Sequence, residues 1–170
     1  MKKYLLVLFV VLISCNSNSK KEETDTATTT YFLIRHAEKD RTDASNKDPN
    51  LNPEGLERAE KWAKYFQNID LDAVYSTNYN RTQQTAKPTA DSKKLAIINY
   101  NPSNMYDSIF QKNTSGKTTL VVGHSNTTPA FVNKILDQKK YKDIDDNDNS
   151  SLFIITINKN GKTSKIEKVN

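Results

Sequence analysis

The sequence predicts a single α/β domain of three layers, α/β/α, built around a mainly parallel sheet. Three observations predict it. Short apolar runs alternate with helical patterns from Tyr31 onward. Two of those runs, in "YFLIR" and "TTLVVGH", are continuously apolar, as buried strands are. And 170 residues, 35% of them hydrophobic, suffice for one core but not comfortably for two.

Taken in order, "YFLIR" is the first strand, and a loop rich in Asp, Asn and Pro follows it. Asn52 suits a helix N-cap and Pro53 the first turn, with Leu56, Ala59, Ala63 and Phe66 forming one face. "DAVYS" is a short strand, then a helix runs over roughly 80–94, disturbed by Pro88. "LAIINY" is the next strand, with a helix around 105–112 after it. "TTLVVGH" leads into a helix, "NTTPAFVNKIL", with Pro129 near its start. Beyond an acidic, Asn-rich loop at 143–149, the chain closes in a hairpin across Lys159, Asn160 and Gly161.

The first 30 residues stand apart. "MKKYLLVLFVVLISC" has two lysines, an apolar run from Tyr4 to Ile13, and Ser14 before the only cysteine, Cys15. That run is about half the roughly 20 residues a bilayer span requires, and its layout is that of an export signal. Residues 15–30 are polar and form a flexible tether, and residues 31–170 form the domain. Cleavage before Cys15 removes Lys2 and Lys3, taking the formal charge of +5 to +3. The remaining lysines are interspersed with acids and no basic, aromatic-rich stripe appears, which argues against nucleic acid as a partner.

Both histidines, His36 and His124, lie just past the carboxyl end of an apolar strand. Ligands of such sheets gather at that edge. Arg35 adjoins His36, and Arg81 opens the helix after "DAVYS". Two guanidiniums and two imidazoles beside helix N-termini suit a phosphate group. Backbone amides just after His124, at Ser125 and Asn126, add donors. Flanking arginines disfavour protonation of His36 and keep a lone pair available for attack on phosphorus.

Four segments carry a family resemblance. "LIRHAEK", "LNPEGLERAE", "YSTNYNRTQQTA" and "LVVGHSNT" resemble, in the family's order, the motifs of the histidine phosphatase superfamily with its phosphoglycerate-mutase-like fold. The resemblance runs from about Tyr31 to Leu136. It implies a phosphomonoesterase in which His36 becomes phosphohistidine and Arg35, Arg81 and His124 form the phosphate pocket, with no metal and no other cofactor. The proton donor is left open between Glu38, next to the nucleophile, and Asp107, in the segment after the third strand where many relatives carry glutamate. The short chain has little room for the insertions of mutases, so it reads as a phosphatase. "LISC" resembles the lipobox of bacterial lipoproteins, which implies a lipid on Cys15 and an exported protein held at a membrane surface.

Three rival readings apply. A serine hydrolase with Ser125 in "GHSNT" lacks the second glycine of the nucleophile elbow and a following histidine. A metal site using both histidines lacks a supporting ligand spacing. A lipid-anchored module of the same fold that binds phosphate or a partner without turnover is the third.

Overall fold

The computed structural model describes residues 27–170. The expectations for the signal segment and Cys15 lie outside the described residues. Six strands and four α-helices follow one another as β1 (Thr29–Arg35), α1 (Pro53–Tyr65), β2 (Ala73–Ser76), α2 (Asn80–Lys93), β3 (Ile97–Asn99), α3 (Ser108–Thr114), β4 (Thr118–Gly123), α4 (Thr127–Leu136), β5 (Ser151–Asn158) and β6 (Gly161–Lys168). One sheet holds all six strands in the order β3-β2-β4-β1-β5-β6. β3, β2, β4 and β1 are mutually parallel, whereas β5 runs antiparallel to β1 and β6 antiparallel to β5.

The central strand β1 shows why its run is unbroken in hydrophobicity. Tyr31 and Leu33 point to a core shared with Phe110 of α3 and Phe131, Val132 and Ile135 of α4. Phe32 and Ile34 point to the other face, packing with Trp62, Phe66, Ala86 and Ala90 from the α1–α2 side. Successive side chains of a strand alternate between faces, so a strand covered on both sides must be apolar throughout. Full burial of each such side chain stabilises the fold by about 1.5–3 kcal/mol. Three layers result, as expected.

Two elements depart from expectation. In α1 the N-cap is Asn52, whose side chain accepts from the Gly55 amide at 2.8 Å, but the buried face is Gly55, Ala59 and Trp62. Leu56 is 51% exposed and Ala63 only half-buried. Gly55 sets this rotation because a Cβ there would lie 2.1 Å from the Glu38 carbonyl oxygen, so only glycine permits that approach. The helix expected around 105–112 begins three residues later. Tyr106 has a φ of 57°, outside the helical region, and Asp107 accepts from the Phe110 amide at 2.7 Å to start α3 at Ser108.

Antiparallel β5 has a positional consequence. It pairs with β1 through Ile34 and Leu152, so its first residues, and the loop 143–149 before them, lie beside the carboxyl end of β1.

Candidate active site

His36 follows β1 directly, and its amide donates to the Gly123 carbonyl at 2.9 Å. That bond aligns the ends of β1 and β4, and thereby the two histidines. Their rings stand 5.5 Å apart, centroid to centroid, in an edge-to-face arrangement. Gly123 leaves room for α4 and Tyr100 to pack against the end of β4: a Cβ on it would lie 2.8 Å from Thr128 Oγ1 and 2.9 Å from the Tyr100 hydroxyl. Around the histidines lies an open cavity of about 500 Å³ lined by Arg35, Arg81, Lys39, Tyr79, Ser125, Asn126 and Asp146, among others.

His36 is buried, and its Nδ1 lies 2.7 Å from the Ala37 carbonyl oxygen. A carbonyl only accepts, so Nδ1 carries the proton and Nε2 keeps its lone pair. Burial is the largest influence on its basicity. The Ala37 hydrogen bond opposes it, the charges of Arg35, Arg81 and His124 add to it, and the imidazole is pushed down to about 3. The ring is therefore neutral at physiological pH.

His124 is set by a chain of donors. Arg81 Nη2 approaches Nδ1 at 3.5 Å, and Nε2 meets the Thr77 hydroxyl at 2.9 Å. Thr77 donates to Thr82 at 3.0 Å, and Thr82 donates in turn to the Thr77 and Tyr79 carbonyls. The imidazole is pushed down to about 4, first by burial and then by Arg81, Arg35 and Lys39. Tyr79 packs edge-on against His124 at 5.0 Å, and the Arg81 guanidinium lies over the Tyr79 ring at 4.5 Å.

The arginines have acidic partners supplied by loops. Arg35 is 2% exposed and donates from Nη1 to the Asp145 carbonyl at 2.9 Å, while Nη2 bonds the Asp146 carboxylate at 2.5 Å. Arg81 Nη1 lies 3.4 Å from Asp48, which also accepts from the Asn80 amide and so caps α2. Thr85 accepts from the Ala37 amide at 2.9 Å and donates to the Arg81 carbonyl, joining α2 to the His36 segment.

Arg35, His36, Arg81, His124, Ser125 and Asn126 are thus brought to one cavity. The two expected proton donors are not. Glu38 pairs with Arg58 at 2.6 Å and faces a neighbouring cavity. Asp107 caps α3 and lines a separate pocket with Tyr75 and Phe110. Sequence reasoning missed Thr77, Thr85, Tyr79, Asp48, Asp146 and Asn149, and it assigned Lys39 no place at the site. Among the described residues, no group of three or more His, Cys, Asp or Glu side chains is placed to hold a metal ion.

Residues 31–101 match the histidine phosphatase superfamily (branch 1), a segment that includes Arg35, His36 and Arg81. Over that segment the chain is similar to the histidine phosphatase superfamily. No curated protein matches the sequence. Solved structures of similar fold include a phosphoglycerate mutase from Bacillus anthracis str. Sterne, with a TM-score of 0.64, 17% identity, and coverage of 86% of this chain and 95% of that one. The protein histidine phosphatase SixA complexed with tungstate gives 0.64 and 16%, covering 82% and 96%. A phosphoserine phosphatase mutant from Entamoeba histolytica, in complex with phosphoserine, gives 0.61 and 16%, covering 84% and 97%. At such identities these likenesses establish the superfamily's fold for this chain.

Proposed function

We propose that the protein is a phosphatase that hydrolyses phosphomonoesters through a phosphohistidine on His36. One observation carries this reading: the lone pair of His36 Nε2 is freed by the Nδ1 bond to Ala37, in a cavity that also holds Arg35, Arg81 and His124. The phosphate of the substrate lies against the two guanidiniums and the amides at the start of α4. Nε2 attacks phosphorus, the bond to the leaving oxygen breaks, and an alcohol departs. Water then attacks the phosphohistidine and releases inorganic phosphate. The guanidiniums offset charge that accumulates on the phosphoryl oxygens.

A second reading has one observation in its favour. Arg35 already spends its Nη atoms on the 145–148 loop, as it would in a module that binds an anion weakly and does not turn it over. Assay of 4-nitrophenyl phosphate in the presence of a chelator separates the two. Turnover that disappears in His36→Ala, with an acid-labile, base-stable phosphoenzyme on His36, is the expected result. Robust turnover by the variant removes His36 as nucleophile, and an inert wild type favours the binding module.

The placement of the enzyme belongs to the same proposal. "LISC" supports export and a lipid on Cys15, so the domain would work at a bacterial membrane surface on small phosphorylated compounds, on the periplasmic or outward-facing side. Lipid labelling that persists in Cys15→Ala contradicts this.

A further inference from the structure

Hydrolysis of an ester with a poor leaving group needs a proton donor, and neither carboxyl expected from the sequence reaches the cavity. Among the described residues lining the cavity of His36, Asp146 is the only carboxylic acid. Its Oδ1 is held by Arg35 Nη2 and its Oδ2 lies 2.7 Å from Arg41, yet the side chain is 60% exposed and so open to a bound substrate. The loop that carries it is pinned. Arg35 Nη1 bonds the carbonyls of Asp145 and Asp148, Asn149 donates to the His36 carbonyl at 2.7 Å, and the Asp148 carboxylate accepts from Ser150, Ser151 and Lys168.

We propose that Asp146 is the proton donor to the leaving oxygen and, in the second step, the base toward water; this rests on the phosphatase reading above. As Nε2 of His36 forms its bond to phosphorus, the bond from phosphorus to the ester oxygen breaks and its electron pair stays on that oxygen. The Asp146 carboxyl supplies the proton, and a neutral alcohol leaves. Water then attacks phosphorus while the carboxylate takes one of its protons. The nitrogen–phosphorus bond breaks with its pair returning to Nε2, and phosphate leaves. Asp146 ends protonated, as it began.

The substrate itself arms this acid. In the free protein, burial raises the affinity of Asp146 for a proton, but hydrogen bonding to Arg41 and the charges of Arg35 and Arg41 outweigh it and hold the group ionised. Lys39, at the cavity wall, adds positive charge, and Asp145 and Asp148 of its own loop add negative. A phosphate seated on Arg35 and Arg81 offsets the guanidinium charge and adds its own negative charge beside the carboxyl. Both effects favour the protonated form. The contact between Arg35 and Asp146 therefore passes to the substrate as catalysis begins.

The test compares full-length wild type with Asp146→Asn and Asp146→Glu on two substrates of similar shape, 4-nitrophenyl phosphate and phenyl phosphate. Phenol is a poor leaving group, with the acidity of a tyrosine side chain, near pKa 10. Asp146→Asn should lower kcat/KM on phenyl phosphate about 10²-fold or more. On nitrophenyl phosphate the loss should stay below about tenfold, and Asp146→Glu should recover part of the phenyl activity. Inorganic phosphate should bind Asp146→Asn at least as tightly as wild type, since a competitor for Arg35 is gone. An equal fall on both substrates with weakened phosphate binding overturns the proposal in favour of a purely structural loop anchor. Unchanged turnover of phenyl phosphate also overturns it, and so does a rise on both substrates, which would mark an anion that merely competes for Arg35. A wild type inert on both substrates overturns the phosphatase reading instead, so the two failures are distinct.

Discussion

Asn149 donates its side-chain amide to the backbone carbonyl of His36 at 2.7 Å, and both residues are buried. The two lie 149 − 36 = 113 positions apart, and the bond holds the His36 peptide against the loop that carries Asp146.

Removing that donor leaves a buried carbonyl without its partner. Asn149→Ala should cost about 1–3 kcal/mol of stability. It should also lower kcat more than it raises KM, because the His36 peptide loses its anchor while the arginines stay. Urea unfolding together with kinetics on nitrophenyl phosphate checks this, and wild-type kcat in the variant would contradict it.

Acid should destabilise the protein through its two histidines. His36 and His124 are held near 3 and 4 in the fold, against 6.5 ordinarily. Between those values the unfolded chain binds more protons than the folded one, so stability is full above pH about 6.5 and declines as pH falls toward 4. The slope approaches about 1.4 kcal/mol per pH unit for each histidine. Asp148 acts in a lower window. Burial raises it, but hydrogen bonds from Lys168, Ser151 and Ser150 hold it well below the usual carboxylate range, so its contribution is lost only as pH falls below about 4. Urea titrations from pH 7.5 to 4.5 measure the first window, and His36→Asn should flatten it. A constant stability from pH 7 to 5 would rule out the proposed burden of two buried neutral imidazoles.

Asp107 is an N-cap, and its substitution should behave as one. Asp107→Ala should destabilise by about 0.5–2 kcal/mol. The ratio of activity on nitrophenyl to phenyl phosphate should not change. A selective loss on phenyl phosphate would return Asp107 to candidacy as the proton donor.

Gly55→Ala tests a close approach. Alanine raises helix propensity by about 1 kcal/mol, yet its Cβ would meet the Glu38 carbonyl oxygen at 2.1 Å, and backbone must yield. The expected net effect is a loss of about 1–3 kcal/mol, with reduced activity because Glu38 lies two residues from His36. A more stable variant would show that this contact relaxes freely.

The parts of the fold that proved readable are those governed by local chemistry. Continuous apolar runs marked β1 and β4, and the histidines after them fell on the same sheet edge because β1 and β4 pair in register, Arg35 opposite Gly123. Asn52 and Pro53 marked the start of α1, and Arg81 took its place in the first turn of α2. The misreading of α1 has a physical cause: its buried face begins at Gly55, which has no side chain for a hydrophobic pattern to register. Glu38 looked like a residue of the site by adjacency to His36, but Arg58, one turn beyond Gly55, captures it. Asp146 and Asn149 were unreadable for a different reason. They meet β1 across more than a hundred residues, in a polar segment whose composition says only that it is a loop.

The reversed direction of β5 has a consequence for biosynthesis. During translation both imidazoles and both guanidiniums of the cavity are made before the segment that braces Arg35, and that segment is seated only when β5 docks against β1. A nascent chain halted near residue 142 would hold all four family-like segments and still lack the clamp on its first arginine. Catalytic competence should therefore appear late, with completion of the carboxyl-terminal hairpin, and trimming that hairpin should silence the protein without touching a motif.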